Sequence, residues 1–180
     1  MPASTAELRI GDLAPNFSLP DTDGETRSLP EDAAATVVVF TCNHCPYALA
    51  WHDRILDAAR DYAGRGVAFF AINPNDAARY PRDSFDAMKE RVAEEGGWPV
   101  PYLRDESQEV AAAYGAQVTP DVFVFDSDRR LRYRGAPDAD HRDPGQNAAW
   151  LREALDAVLE AREPERPETD PVGCSVKWRG

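Results

Sequence analysis

Val37-Val38-Val39-Phe40-Thr41-Cys42-Asn43-His44-Cys45-Pro46-Tyr47 is the stretch from which the rest of the chain can be read. Val37 to Phe40 is short, mostly β-branched and uncharged, the pattern of a strand buried on both faces. It runs into a Cys-x-x-Cys pair, then Pro46, then a helix-like segment from Ala48 to Tyr62. The thiols therefore stand where strand passes into helix. Cys42 lies just before a helix N-terminus, where free N–H groups and the partial positive charge of the helix favour a thiolate. Two intervening residues let the sulfurs close a small disulfide ring. His44 lies inside that ring, and as imidazolium it would stabilise the thiolate further. An attacking thiol below the free value of ~8.5 is expected.

Composition sets the frame. The chain has 180 residues, enough for one domain with a real core. No stretch approaches the ~18 apolar residues of a membrane helix. Met1 to Glu7 has neither a basic end nor an apolar core, so it does not read as a secretory signal, and a cytoplasmic location is the default expectation. In a reducing compartment a Cys-x-x-Cys beside a βαβ pattern points to redox or metal chemistry before a structural disulfide. The formal charge of −12 and pI near 4.6 argue against nucleic acid and anionic membranes as partners. Lys89 and Lys177 are the only lysines. Such a surface suits a salt-adapted proteome, and high GC content would favour the same residues.

Working outward, residues 1 to 7 read as a lead-in. Phe17 and Leu19 alternate with polar residues before the turn Asp23-Gly24, which predicts a small β-hairpin ahead of the main sheet. Leu49, Ile55, Leu56, Ala59 and Tyr62 mark one face of the helix after the Cys turn, which Gly64 and Gly66 close. Val67 to Ile72 is a second core strand. If it runs parallel to the first, Asn73-Pro74-Asn75-Asp76 lies on the same sheet edge as the Cys turn. The spacing of Phe85, Met88 and Val92 predicts a helix over 81–95. Residues 99–103 read as a short strand or extended edge and 108–114 as a short helix. Val118 to Phe125 is a strand interrupted by Pro120, and Leu131 to Gly135 turns back as a hairpin. Residues 138–145 form a polar loop and 147–161 the last amphipathic helix. A first unit over 1–162 is expected, then a Pro/Glu-rich linker and Cys-containing tail over 163–180, with no apolar pattern in 163–171. Parallel crossovers followed by an antiparallel hairpin imply a mixed sheet with helices on both faces.

Three segments in this order carry a resemblance. Gly11-Asp12-Leu13-Ala14-Pro15-Asn16-Phe17-Ser18-Leu19-Pro20-Asp21, the Cys42–Cys45 turn, and Tyr114-Gly115-Ala116-Gln117-Val118-Thr119-Pro120-Asp121 resemble the AhpC/TSA (redoxin, peroxiredoxin-like) branch of the thioredoxin fold. The likeness spans roughly residues 8 to 161. The turn Cys-Asn-His-Cys-Pro and the tail Gly173-Cys174-Ser175-Val176-Lys177-Trp178 resemble thioredoxin family proteins with that pair of features. The resemblance implies an α/β fold: a thioredoxin-like three-layer α/β/α sandwich with a mixed central sheet and an N-terminal β-hairpin. It implies a thiol–disulfide oxidoreductase. Cys42 would attack, Cys45 resolve, and Pro120 be the cis-proline against the disulfide, with Thr119 offering backbone groups to a substrate. Pro46 after Cys45 resembles the peroxiredoxin Cys-Pro step, and it joins Thr119 as an expected substrate contact. Thr41 stands where thioredoxins have tryptophan. No acidic residue lies in Val37 to Phe40 to match thioredoxin's buried carboxylate.

Other readings share these residues. Cys174 is a candidate third redox thiol, a resolving or relay cysteine on a tail that folds back, with an incidental surface thiol as the plain alternative. A thiol peroxidase would use Cys42 or Cys45. A metal-binding protein on the same scaffold would combine Cys42, Cys45 and Cys174 with His44 or His52, although a second Cys-x-x-Cys is missing. His141 reads as a solvated loop residue and Trp51 as packing. No cofactor is expected. The expected partners are a disulfide-bearing protein or small molecule and a cellular thiol reductant.

Overall fold

The computed structural model describes residues 7–180; of the lead-in read over residues 1 to 7, all but Glu7 lies outside it. The hairpin comes first: β1 (Ser18–Pro20) pairs antiparallel with β2 (Thr26–Ser28). β3 (Ala35–Phe40) is buried along its whole length. It leads through the Cys turn into α1 (Pro46–Tyr62), which has Cys45 as N-cap and Pro46 in its first turn, where a missing N–H costs nothing. A 3₁₀ turn (Ala63–Arg65) ends at Gly66 with φ 78°, a left-handed position that glycine fills without strain.

β4 (Val67–Asn73) runs parallel to β3. The helix expected from Pro81 starts later. Pro81–Asp83 is a 3₁₀ turn, and α2 (Phe85–Glu94) begins after Ser84, whose hydroxyl accepts the Ala87 N–H at 3.1 Å. The Ser84 cap sets the start of the helix and leaves Asp83 outside it. β5 (Tyr102–Arg104) and α3 (Glu109–Tyr114) follow. The segment around Pro120 divides into β6 (Val118–Thr119) and β7 (Asp121–Phe125), with a cis Thr119–Pro120 bond. β8 (Leu131–Gly135), α4 (Ala149–Leu159) and β9 (Cys174–Ser175) complete the order.

The central sheet has the order β5-β4-β3-β7-β8. β3, β4 and β5 are parallel; β7 and β8 are antiparallel to their neighbours. Side-chain alternation builds two cores. Val37, Val39, Phe69, Ala71, Val122 and Val124 face α1 and α4, while Val38, Phe40, Phe70, Ile72, Phe123 and Phe125 face α3 and the N-terminal segment. This is the expected three-layer mixed α/β thioredoxin architecture. Trp51 is packing, as its spacing suggested: it is buried, and its indole N–H donates to Asp138 at 2.8 Å.

The C-terminal segment is not the flexible tail that its composition suggested. Arg134 N–H donates to Pro167 O, and Thr169 N–H to Arg134 O, both at 3.0 Å. Residues 167–169 thereby run along β8. β9 then pairs antiparallel with β6, and Val176 is 3% exposed in the second core. Backbone hydrogen bonds, Val176 and the partly buried Trp178 hold a stretch with almost no apolar pattern. Among the described residues no helix is long and apolar enough to cross a membrane.

Candidate active site

The turn between β3 and α1 positions Cys42 and Cys45 by local geometry. β3 ends at the sheet edge, and α1 starts with its N–H groups aimed back at the turn. Both cysteines are 1% exposed and pack against each other. Cys42 Sγ also accepts the Cys45 N–H at 3.3 Å and shares a hydrogen bond with Thr119 Oγ1 at 3.3 Å. Cys45, when protonated, donates to Thr119 O at 3.3 Å. Thr119 thus touches both sulfurs, one through its hydroxyl and one through its carbonyl.

The two buried thiols titrate together, so losing the first proton makes the second harder to remove. With the anion on Cys45, that thiol is lowered to about 4: the Cys42 hydrogen bond acts first, the Cys174 thiol and the N–H groups of Ala48 and Cys174 add to it, and burial opposes them. Cys42 is raised by the same sulfur–sulfur bond, then by burial, with the nearby Asp83 carboxylate acting in the same direction. Both sulfurs lie at the N-terminus of α1, Cys45 as its N-cap and Cys42 accepting the Cys45 N–H, which is the setting expected for a lowered thiol. An anion on Cys42 is received by the Cys45 N–H and the Thr119 hydroxyl.

Asp83 organises the other side of the turn. It is fully buried. Its Oδ1 accepts the Asn43 N–H at 2.7 Å and the Asn73 amide at 3.1 Å, and its Oδ2 accepts the Asn75 amide at 3.0 Å. His44 Nδ1 lies 2.7 Å from Asp83 Oδ2, an ion-pair distance when the ring is protonated, although its N–H does not point along the contact. The His44 ring stacks on Tyr80 at 5.5 Å between centroids. Asn43 Oδ1 accepts from Tyr102 at 2.7 Å and Arg91 at 3.0 Å, and Arg91 also donates to Cys42 O at 3.2 Å. Asn73 and Asn75 sit on the sheet edge expected for them, binding the buried acid.

All the expected site residues come together. Thr119 and cis-Pro120 face the sulfurs from β6, His44 flanks the turn, and Pro46 starts the helix. Cys174 packs against the pair. Asp83 and Arg91 were not singled out in the sequence. Asp83 is the buried carboxylate that β3 lacks, supplied 41 positions downstream of Cys42, and no local pattern marks it. The only usable hint was the pair of asparagines at the end of β4.

As a metal site the arrangement fits poorly. Cys42, His44 and Asp83 bring one ligand atom each within 4.8 Å of one another. Zinc takes four ligands in a closed site, and both Asp83 oxygens already accept amide hydrogen bonds. His52 is committed elsewhere, 2.7 Å from Glu95.

A mixed sheet with a Cys-x-x-Cys at a strand-to-helix turn, opposed by a cis X-Pro loop, defines a thioredoxin-fold protein. Residues 10–134 match the model of the AhpC/TSA family, and the chain belongs to that family. A hypothetical protein from Sinorhizobium meliloti 1021 is 37% identical over 97% of each chain, with a TM-score of 0.90. An uncharacterized conserved protein from Geobacillus kaustophilus is 42% identical over 99% of this chain and 97% of its own, with the same TM-score of 0.90. A putative thiol:disulfide interchange protein DsbE from Chlorobium tepidum shares the fold at 20% identity and TM-score 0.68, covering 85% of this chain and 99% of its own. A comparison with curated proteins returned no match.

Proposed function

We infer that the chain is a thiol–disulfide oxidoreductase working through Cys42 and Cys45. The observation that carries this reading is the buried, packed sulfur pair at the N-terminus of α1, with Thr119 bonded to both sulfurs. Membership of the AhpC/TSA family supports a redox role.

The proton moves from Cys42 to Cys45, and the Cys42 thiolate attacks one sulfur of a substrate disulfide. A Cys42–substrate bond forms and the other substrate sulfur leaves as thiolate. Cys45 gives its proton to that thiolate, attacks Cys42 Sγ and expels the second substrate thiolate. The substrate gains two electrons and the protein holds a Cys42–Cys45 disulfide. The reverse sequence oxidises a dithiol, and the direction follows the relative potentials. A lowered thiol is a good leaving group, which makes the protein disulfide more oxidising.

The test is exchange with 2-hydroxyethyl disulfide, read alongside thiol alkylation against pH. One thiol of the pair is expected to react well below ~8.5, Cys45→Ser is expected to abolish turnover, and Cys42→Ser to slow it sharply. Two thiols that titrate like free cysteine, with no exchange, would remove the reading. Peroxide consumption without disulfide exchange would move it to a thiol peroxidase, for which Pro46 behind the lowered Cys45 is the favouring feature.

A further inference from the structure

The backbone edge beside the two sulfurs is already occupied. β9 pairs with β6 so that Cys174 stands opposite Thr119, the residue bonded to both sulfurs. Any extended chain bringing a disulfide to this turn along that edge would need the same hydrogen-bonding groups, which is strand addition. The occupant is held on both sides of the cysteine. Val176 N–H donates to Gln117 O at 3.0 Å, Asp76 N–H to Lys177 O at 2.8 Å, and Lys177 N–H to Asn75 Oδ1 at 2.9 Å. A Cβ on Gly173 would collide with the carbonyl oxygen of Thr119, so only glycine allows this approach. Tyr47 and Cys174 pack on the sulfurs, which are nearly shut off from solvent.

We propose that residues 173–177 are a tethered occupant of the substrate edge, and that Cys174 is a third exchanging thiol that takes over the Cys42–Cys45 disulfide. This rests on the dithiol chemistry proposed above. In the step, Cys174 loses its proton to solvent and attacks Cys45 Sγ of the Cys42–Cys45 disulfide. A Cys174–Cys45 bond forms, the Cys42–Cys45 bond breaks, and Cys42 leaves as thiolate, able to attack a further disulfide. No electrons are gained or lost overall. Cys174 already packs against the Cys42–Cys45 pair, so the reacting side chains start in contact.

Electrostatics time the step. In the dithiol, Cys174 is raised to about 11, first by burial, then by the hydrogen bond and charge of Cys45, while Lys177 and the Tyr47 N–H pull it down. Oxidation of Cys45 removes that hydrogen bond and charge, leaving burial opposed by the two lowering influences, so Cys174 falls from its dithiol value. Cys174 thus becomes a better nucleophile when its target disulfide forms. A protein disulfide, which must lie along the edge of β6, meets the tail first; a small disulfide does not need that edge.

Three measurements test the proposal. Reduced wild type given one equivalent of 2-hydroxyethyl disulfide and then alkylated is expected to yield Cys45–Cys174 with Cys42 alkylated, besides Cys42–Cys45. Cys42–Cys45 alone, with Cys174 fully alkylated, would overturn the relay while leaving the dithiol reading intact; no oxidation at all would remove both. In Cys42→Ser, the same probe is expected to release two equivalents of mercaptoethanol and leave an internal Cys45–Cys174 bond. A stable mixed disulfide with one equivalent released would count against it. Gly173→Val displaces the strand without shortening the chain. The ratio of insulin reduction to 2-hydroxyethyl disulfide reduction is expected to rise about tenfold, as for release of a state populated near a tenth of the time. An unchanged ratio would show that the tail does not guard the edge.

Discussion

The Cys42–Cys45 turn and the terminal strand β9 bring sulfur to the same point by opposite means. The turn does it locally: an all-buried strand ends, a proline starts a helix, and two residues separate the thiols. The tail does it from 129 positions beyond Cys45, through backbone hydrogen bonds to β6, Asn75 and Asp76 and one buried valine. The turn is further fixed by a buried carboxylate with three amide donors, whereas no buried charge pins the tail. The turn is therefore built to stay and the tail to be displaced, and substitutions on each side should differ accordingly.

The largest effect is expected at Asp83. Asp83→Ala strands the Asn43 N–H and the Asn73 and Asn75 amides in a buried setting, at about 1–3 kcal/mol for each donor left without a partner. Allowing for some rescue by water, the protein should lose about 3 kcal/mol or more, a fall in Tm of about 10 °C for a chain of this size. The same change removes the negative charge that raises Cys42, so thiol reactivity should rise at low pH even as stability falls. A Tm within about 2 °C of wild type would show that the turn holds without its acid, and the contrast with the tail would disappear.

Sequence and structure part company along the same line. The hairpin, the parallel pair β3 and β4 and the helix after the cysteines follow from short-range patterns, alternation and glycine stops, while the cis position at Pro120 comes from the family resemblance. Cys42, Cys45, Thr119 and Pro120 were legible because strand-to-helix and loop-to-strand junctions are local. Asp83 was not, since its role depends on Ser84 capping α2 one residue later and turning the carboxylate inward. Arg91, Asn73 and Asn75 depend on the same turn. The docking of residues 167–177 was illegible because it rests on backbone hydrogen bonds, which any sequence carries. Val176 and Trp178, which packs on the second core, offered the side-chain clues.

Asp121 tests the loop that both sides share. Its Oδ2 accepts the Gln117 N–H at 3.0 Å, and Gln117 O in turn receives Val176 N–H. Its other oxygen is buried without a partner. Burial raises the carboxyl from 3.8 to about 6, against the Gln117 N–H and the Arg134 charge. Between these values the folded chain holds the proton more tightly than the unfolded chain, so this group's contribution falls as pH rises from about 4 to about 6. The loss is roughly 3 kcal/mol across the window. Asp121→Asn cannot titrate, so its stability relative to wild type should grow over that interval. Urea unfolding of both proteins at several pH values separates this group from carboxylates shifted the other way, such as Asp21 and Asp126. A difference independent of pH would show that the folded and unfolded carboxyls titrate alike.

The smallest and most local effect is expected at Val176. Val176→Ala removes two methyl groups from a side chain 3% exposed in the second core, a loss of about 1.5 kcal/mol at ~0.8 kcal/mol per buried carbon. If the tail opens on its own, the loss falls on that opening and global stability is spared. Exchange of the Val176 and Lys177 amides should then quicken about tenfold while amides of β3 and β7 stay as they were. Opening of the tail would also bare the edge of β6, so the substitution should favour insulin over a small disulfide, more weakly than Gly173→Val. Equal acceleration throughout the sheet would mean that tail and core unfold together. In that case the tail would be as permanent a part of the site as the turn, and protein disulfides would have to reach the sulfurs without displacing it.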